Sequence, residues 1–337
     1  MFNARFVWGI GILGCIGIGM LFFASRQPET VEKHQEKDLR PLTLAADVPQ
    51  VLAFAGEKIP LEDPDVKERL DRELQVNSHW HSNTILMIKR SYRWKEQITQ
   101  WLIQEGLPPD LYYVALAESA LLQANSPAGA KGFWQMMPET AKKLGLKIND
   151  QVDERLNIKK STFAACKYLK EANQKLGSWS LAAAAYNMGV AGVQNALRQQ
   201  RVNSYFDLYL NTETSRYFFR VIALKLILED PEKYGFRIYH HDLYSPWKTK
   251  TFKIDTPISS LATWALSNGS NYKYLKILNP WLLNSSLALA PNESYELLLP
   301  EFSSTPDTVL KEVLIPFPDK GLYQEPKTTE PGEPQPE

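Results

Sequence analysis

Apolar residues with helical spacing dominate the chain between residues 61 and 245. Val66, Leu70 and Leu74 recur every four positions, and comparable spacing continues as far as Glu229. Almost no segment in this range alternates apolar and polar residues with the period of two that is typical of strands. The pattern therefore predicts an all-α domain over residues 61–245.

Residues 246–303 have a different pattern, which predicts a small α+β unit. A strand, two helices and a second strand are expected in that order, at residues 249–254, 258–264, 271–278 and 294–299. Residues 304–337 become rich in Pro and Glu and are expected to be disordered. The predicted fold class is mainly α, with this small βααβ unit at the C-terminal side.

The N-terminal segment is apolar enough to span a bilayer. Residues 6–24 carry no charge and are bounded by Arg5 and Arg26. At about 1.5 Å per residue, a helix of this length would cover roughly 28 Å, close to the hydrocarbon thickness of a membrane. The sequence predicts an uncleaved membrane anchor at residues 1–26, followed by a polar tether at residues 27–60.

A cleaved signal peptide and a lipoprotein signal are the alternatives for this segment, and residues 12–15 loosely fit a lipidation box that ends at Cys15. The apolar run continues past Cys15, whereas a mature lipoprotein usually becomes polar after its cysteine, and this favours the anchor. The second cysteine, Cys166, lies in a predicted helix, so the two cysteines do not suggest a disulfide.

Charge and ligand patterns argue against several classes of partner. Lys plus Arg and Asp plus Glu number 38 each, without a basic stripe, so we do not expect a nucleic-acid partner. His79 and His81 flank Trp80, but neither a carboxylate nor a third histidine stands at ligand spacing. We therefore expect a surface loop at this pair, and neither a metal nor a cofactor.

The stretch from residue 111 to 146 contains an unusual carboxylate. Asp110 can cap a strongly apolar helix, and Glu118 lies near the end of that helix. A carboxylate among apolar residues must find partners or stay protonated. A breaker-rich loop follows at residues 125–132, and Pro138 opens the next helix at a position where its missing N–H costs nothing.

Four motifs in register resemble the lytic transglycosylases that cleave bacterial peptidoglycan, most closely the membrane-bound lytic murein transglycosylase D group. The motifs are Glu118-Ser119, residues 132–141, residues 185–189 and residues 213–217. They cover roughly a third of the chain, and it is their joint occurrence that carries the resemblance. The resemblance implies a lysozyme-like all-α catalytic domain with its core at about residues 98–230.

The resemblance also implies a mechanism with one carboxylate. Most glycosidases use two carboxylates that flank the scissile bond, and the sequence shows no obvious partner for Glu118. In the implied scheme Glu118 protonates the oxygen of the β-1,4 bond between N-acetylmuramic acid and N-acetylglucosamine. It then removes the proton of the C6 hydroxyl, which attacks C1 and gives a 1,6-anhydro product.

The remaining motif residues receive substrate-binding roles from the same resemblance. Ser119 supports the site, and Gln135 binds substrate or holds Glu118. Met136 packs under a sugar ring. The other implied residues are Tyr186, Asn187, Glu213 and Tyr217, where Tyr217 backs the carboxylate and Glu213 either binds substrate or caps a helix. The implied partner is the peptidoglycan strand, and the implied location is the periplasmic side of a membrane in a Gram-negative-type envelope.

Two alternatives to a transglycosylase stay open at this point. A goose-type lysozyme relative would hydrolyse the same bond on the same fold, and its products would carry reducing ends. A non-catalytic envelope scaffold would bind glycan strands without cleaving them.

The unit at residues 246–303 resembles a degenerate LysM domain in its order of strands and helices. LysM modules usually begin with a turn of the Gly-Asp-Thr type, whereas this chain has Asp255-Thr256-Pro257. Glycan binding and a purely structural cap on the helical domain are therefore both open for this unit. Trp264 falls on its predicted apolar side, which favours a position in the core.

Overall fold

The computed structural model of the protein describes residues 45–301. The predicted membrane anchor at residues 1–26, the first part of the predicted tether and the predicted tail at residues 304–337 lie outside the described residues. Within the described range, none of the helices combines the length and the apolar character that a membrane span requires.

The first part of the described chain is helical, as the spacing of apolar residues predicts. Its helices are α1 (Pro64–His79), α2 (His81–Gln104), α3 (Tyr112–Ser119), α4 (Pro138–Lys143), α5 (Ile158–Leu176), α6 (Trp179–Met188), α7 (Val190–Gln200) and α8 (Thr212–Glu229). Short 3-10 turns lie at Pro109–Leu111, Glu154–Leu156, Tyr205–Asp207, Glu232–Tyr234 and His240–Asp242. The 3-10 turn at Glu154–Leu156 directly precedes α5.

Side-chain caps explain several helix starts, but one predicted cap is wrong. Ser178 accepts a hydrogen bond from the backbone N–H of Leu181 and so caps α6. Asp110 does not cap α3. Its carboxylate instead accepts the backbone N–H of Ala55 at 2.7 Å and the ammonium of Lys225 at 2.9 Å. Asp110 therefore joins distant parts of the chain rather than starting a helix.

Helix α8 forms the centre of the domain and packs against α1, α3 and α6. Most of its residues between Tyr217 and Leu228 are buried, which fits a helix that is apolar on most sides. Tyr217 belongs to this buried set, so the position of its hydroxyl is determined by the packing of a whole helix.

The last part of the predicted tether is packed against the helical domain. Strands β1 (Ala53–Phe54) and β2 (Glu57–Lys58) form a short antiparallel hairpin. The Phe54 ring is fully buried and meets Phe218 of α8 edge to face, with 5.1 Å between ring centroids. Residues 45–60 thus contribute to the core, so this last part of the predicted tether is ordered against the domain.

The C-terminal part confirms the predicted βααβ order. Strand β3 (Thr249–Ile254) pairs antiparallel with β4 (Tyr295–Pro300), and Thr249 lies opposite Pro300. Helices α9 (Leu261–Ser267) and α10 (Tyr272–Leu278) lie between the strands in the sequence. Trp264 is partly buried, with its ring against Phe252 at 5.3 Å between centroids.

The helical domain and the C-terminal unit share a core. Val152 and Leu156 of the helical domain are buried among apolar residues of the C-terminal unit. The backbone N–H of Asp153 donates to the carbonyl of Trp281 at 2.9 Å, and Val152 forms an isolated β-bridge with Leu282. The C-terminal unit is therefore joined to the helical domain by both backbone hydrogen bonds and apolar packing.

Candidate active site

Glu118 lies in the last turn of α3, next to residues that form the domain core. Residues 112–116 of this helix are buried. The helix ends at Ala120, which has a left-handed conformation with φ of 51°. Arg90 of α2 holds this end, because its Nε donates to the Ala120 carbonyl at 2.7 Å. Glu118 is thus fixed on a short, well-packed helix, and its side chain stays partly exposed.

The hydroxyl of Tyr217 donates a hydrogen bond to Oε1 of Glu118 at 2.6 Å. Burial raises the pKa of Glu118 from 4.5 to about 7, although this hydrogen bond and the positive charge of Arg220 lower it. Burial also raises the pKa of Tyr217 well above its usual value, so the phenol keeps its proton and remains a donor. At neutral pH Glu118 is therefore divided between the acid and the carboxylate, as a general acid and base requires.

Two charged groups of α8 act on Glu118. Arg220 lowers the pKa of Glu118, whereas Glu213, exposed in the first turn of the helix, raises it. Nε of Arg220 also lies 3.8 Å from Oε2 of Glu73, a carboxylate of α1 that is only 1% exposed. Sequence reasoning missed Arg220. Its position three residues after Tyr217, on the same helix face, is the signal that could have found it.

The loop between α3 and α4 is tied to the Glu118 helix by Ser119. The Ser119 hydroxyl donates to the carbonyl of Phe133 at 2.8 Å and lies 3.3 Å from that of Ala115. Both partners are backbone groups of the protein, and Ser119 is buried. Ser119 therefore holds the loop against the helix, which agrees with a supporting role beside Glu118.

Gln135 lies within this loop and organises it. Its backbone has a φ of 44°, and its Nε2 donates to the carbonyl of Ala124 at 3.0 Å and to that of Gly132 at 2.7 Å. Neither hydrogen bond goes to Glu118. Because the amide nitrogen is used inside the loop, the amide oxygen is the atom with which Gln135 would meet a substrate.

Met136 is buried, with an exposed fraction of 4%, and belongs to the domain core. The next residue, Met137, has an exposed fraction of 43%. The interior position of Met136 gives it little surface to offer a sugar ring. Met137 is the exposed apolar residue at this point of the loop, and the sequence interpretation passed over it.

A buried ion pair supports the same loop from the other side. Arg155 and Asp153 are both at least 95% buried, and Nη2 of Arg155 lies 2.7 Å from Oδ2 of Asp153. Nη1 of Arg155 donates to the carbonyls of Gly129 and Met136, at 2.8 and 3.1 Å. The sequence interpretation did not select Arg155, whose partners become visible only when the loop folds back onto it.

Tyr186 lies at the end of α6 and faces the same region. Its hydroxyl donates to the carbonyl of Trp134 at 2.8 Å, and its ring packs edge to face on Tyr168. Burial raises the pKa of Tyr186 well above its usual value, and the negative charge of Glu118 acts in the same direction. Tyr186 therefore lies close enough to Glu118 for the carboxylate charge to raise the pKa of its phenol.

Asn187 and Glu213 lie at the junction of α6 and α8. Oδ1 of Asn187 accepts the hydroxyl hydrogen of Thr214 at 2.9 Å, so this amide is oriented by α8. The helix cap at this start is Asn211, which accepts the backbone N–H of Thr214 at 3.0 Å. The prediction of Glu213 as a cap is therefore wrong, since it is an exposed residue of the first turn.

His79 and His81 lie at the junction of α1 and α2. His79 ends α1 and His81 begins α2, with only Trp80 between them, so the predicted surface loop is a single exposed residue. Their rings are 6.0 Å apart. Across residues 45–301, no group of three or more His, Cys, Asp and Glu residues is placed to hold a metal ion.

Comparison with protein-family models identifies the region that contains Glu118. Residues 96–208 match the family model of the transglycosylase SLT domain. This region of the chain is similar to an SLT domain. A second family model, the soluble lytic transglycosylase C-terminal LysM-like domain, matches residues 250–303. The lysozyme-like helical domain and the LysM-like unit expected from the sequence are both confirmed.

The chain is also similar to curated proteins that are named as lytic transglycosylases. The chain is 29% identical over 195 residues to membrane-bound lytic murein transglycosylase D of Escherichia coli strain K12, and equally to its counterpart from strain CFT073. These matches cover 55% of this chain and 42% of each relative. The chain thus spans less than half of the length of these relatives.

A solved structure, an inactive mutant of the lytic transglycosylase Slt from Pseudomonas aeruginosa, is 22% identical with a TM-score of 0.34. The matched region covers 44% of this chain and 26% of the Slt chain.

The match to the SLT family model ends at residue 208, before Glu213 and Tyr217. It is the tertiary structure that brings Tyr217 of α8 to Glu118 of the SLT domain.

Proposed function

We propose that this chain is a lytic transglycosylase that cleaves the β-1,4 bond between N-acetylmuramic acid and N-acetylglucosamine in peptidoglycan and forms a 1,6-anhydro end. The observation that carries the proposal is Glu118, a partly buried carboxyl whose pKa is raised to about 7 inside an SLT domain. A group with this pKa can give a proton and then take one back at neutral pH.

The proposed reaction uses Glu118 in both steps. The protonated carboxyl gives its proton to the glycosidic oxygen, and the bond from that oxygen to C1 of N-acetylmuramic acid breaks. The 2-acetamido group supports the positive charge that develops on the sugar. The Glu118 carboxylate then removes the proton of the C6 hydroxyl, whose oxygen bonds to C1. Because that nucleophile belongs to the substrate, its proximity replaces a second carboxylate.

Tyr217 and Arg220 set the balance between the two forms of Glu118. Both stabilise the carboxylate, whereas burial stabilises the acid, and the result lies near neutrality. Tyr186 and Asn187, at the end of α6, are the residues that we propose for contact with the acetamido and hydroxyl groups. Gln135 would contribute its amide oxygen from the loop.

Hydrolysis is the second candidate, and Glu213 is the observation that favours it. Glu213 is exposed, and its negative charge raises the pKa of Glu118. It could therefore hold a water molecule, as the second carboxylate of a hydrolase does. The two candidates differ in product, since hydrolysis gives reducing ends. A Glu213→Gln variant should keep the release of anhydro products if the transglycosylase proposal is correct.

Mass spectrometry of muropeptides released from purified sacculi tests the proposal. The full chain should release 1,6-anhydro products, and Glu118→Gln should lower the rate by about 10²- to 10⁴-fold, because an amide cannot deliver the proton. Glu139→Gln, on an exposed side chain of α4, is the matched control and should keep full activity. Reducing-end products would favour the hydrolase, and binding without release would favour the scaffold.

We also propose that the chain acts in the bacterial envelope, on the periplasmic side of a membrane to which residues 1–26 anchor it. The support is the apolar run at residues 6–24 and the similarity to relatives that are named membrane-bound. Mass analysis of the N-terminus in the membrane fraction tests the anchor. Cleavage before Cys15 with a lipid attached would replace the anchor by a lipoprotein.

A further inference from the structure

We infer that a cleft between α2 and the segment joining the two parts of the chain binds a neutral N-acetylhexosamine residue of a glycan strand, at a site separate from Glu118. The choice of this ligand rests on the proposed function. The cleft has a volume of about 260 Å³ and is lined by α2, by Pro246, Trp247 and Thr249, and by Leu278 and Leu298 of the C-terminal unit. Junctions between domains are a common place for small-ligand sites.

Two tryptophans give the cleft its aromatic surface. Trp94 comes from α2 and Trp247 from the joining segment, and both are partly exposed. An indole ring offers a large apolar face together with one N–H donor, which suits the C–H faces and hydroxyls of a sugar. Gln97 and Gln100 line the same cleft as exposed amides, which can donate to and accept from hydroxyl and acetamido groups.

The charges of the cleft favour a neutral ligand. Its lining contains one cation, Arg93, and one anion, Glu96. The Arg93 guanidinium is held in place, since Nε donates to the carbonyl of Ser245 at 3.0 Å and the group lies 5.8 Å from the Trp247 ring centre. A phosphate or an N-acetylmuramic acid carboxylate would meet the negative charge of Glu96 as well as Arg93, so the lining offers an anion no net positive charge. N-acetylglucosamine is the uncharged sugar of the proposed substrate.

Both tryptophan rings are held before any ligand arrives. Trp94 packs edge to face on Phe133 with 5.5 Å between ring centroids, and Trp247 packs in the same way on Tyr274 at 5.6 Å. Rings that are fixed in advance lose little conformational freedom when they bind. A purely structural joint would not need two partly exposed indoles beside two exposed amides.

The cleft and the Glu118 helix meet the same face of α2. Arg90 and Arg93 are three residues apart and Gln97 follows four residues later, which places all three on one side of the helix. Arg90 holds the end of the Glu118 helix through the Ala120 carbonyl, while Arg93 and Gln97 line the cleft. A strand bound in the cleft would therefore be held by the helix that also positions the catalytic carboxyl.

Blocking the cleft without removing any packing tests this inference. Gln97→Trp adds bulk at an exposed position of the lining, and Gln104→Trp makes the same change on the same helix outside the cleft. The readout is the indole N–H signals of Trp94 and Trp247 in NMR spectra of the full chain, assigned with single Trp→Phe variants. N-acetylglucosamine is the probe and glucose, which lacks the acetamido group, is the comparison.

N-acetylglucosamine should shift both indole signals in the unmodified chain and in Gln104→Trp, but not in Gln97→Trp. Gln97→Trp should also lower the affinity for insoluble sacculi about tenfold, while the cleavage of a short tetrasaccharide stays within twofold of the control. Indole signals that do not respond, or that respond equally in Gln97→Trp, would overturn the inference, as would unchanged affinity for sacculi. Indole shifts in a chain that cleaves no glycan would contradict the proposed function and leave the cleft assignment standing.

Discussion

The backbone N–H of Asp153 donates to the carbonyl of Trp281 at 2.9 Å, and this bond connects the C-terminal unit to the segment between α4 and α5. The Asp153 side chain pairs with Arg155, which in turn holds the carbonyls of Gly129 and Met136. The LysM-like unit is thus packed against the residues that shape the candidate active site. The unit can therefore support activity by holding these residues in place, without contacting a glycan itself.

Leu282→Ala should destabilise the protein and lower activity together. Leu282 is 1% exposed and bridges Val152, so its truncation leaves a cavity at the junction, which typically costs about 2–5 kcal/mol. Leu266→Ala, in the same unit at 68% exposure, is the control and should change little. Thermal unfolding and muropeptide release are measured in parallel. Normal activity and stability in Leu282→Ala would show that the junction does not support the site.

Tyr217→Phe should move the alkaline limb of the activity profile upward. The hydroxyl stabilises the Glu118 carboxylate, so its loss should raise the pKa of Glu118 above about 7. A hydrogen bond to a charged group is worth about 1.5–3 kcal/mol, which corresponds to roughly one to two pH units. The measurement is kcat/KM against pH.

Tyr168→Phe is the matched control for this shift, because the Tyr168 hydroxyl donates to the Ala185 carbonyl and not to Glu118. Its alkaline limb should coincide with that of the unmodified protein. A limb that stays in place or moves to lower pH in Tyr217→Phe would contradict the assignment of Glu118 as the titrating group.

Glu118→Gln should stabilise the fold at alkaline pH but not at acidic pH. Burial raises the pKa of Glu118 from 4.5 to about 7, so the folded state binds its proton more tightly than the unfolded chain. That stabilisation is complete below pH 4.5 and is lost as pH rises through 7. As the pH rises over this range, the free energy of unfolding of the natural protein should therefore fall by about 3 kcal/mol relative to that of the Glu118→Gln variant.

Urea unfolding of both proteins between pH 4 and pH 9 measures this difference. Glu139→Gln removes an exposed carboxylate from α4 and is the control. Its free energy of unfolding should stay close to that of the natural protein throughout this pH range. The free energies of unfolding of the natural protein and of the Glu118→Gln variant could instead differ by the same amount at every pH. That result would mean that burial does not shift the pKa of Glu118.

Gly132→Ala should disrupt the loop far more than the same change at Gly129. Gly132 has a φ of 80°, and a Cβ there would lie 2.1 Å from the carbonyl oxygen of Arg155, so the backbone would have to move. Gly129 has a φ of 90° with nothing within 4 Å, so alanine there meets only the left-handed strain of about 1–2 kcal/mol. The measurement is the free energy of unfolding of each variant. Equal losses of stability in Gly132→Ala and Gly129→Ala would contradict the close contact between Gly132 and the Arg155 carbonyl.

Local patterns predicted much of the fold because they report burial directly. The four-residue spacing around Val66 and Leu70 predicts α1, and the alternation at residues 249–254 predicts β3, since each pattern places apolar atoms on one side of the element. The motif around Glu118 lies in the region that the SLT family model matches. The role of Asp110 was assigned wrongly, because a cap is a local guess, whereas Ala55 and Lys225 come from distant parts of the chain.

The sequence by itself determined the helices, the βααβ order and the presence of one carboxylate in an apolar helix, because these follow from spacing along the chain. Only the tertiary structure decided which groups meet that carboxylate. Tyr217 lies 99 positions from Glu118, and its hydroxyl reaches it because α8 packs on α3. The burial that raises the pKa of Glu118 comes from that packing as well. Desolvation and long-range contacts depend on all the elements together, and no local pattern contains them.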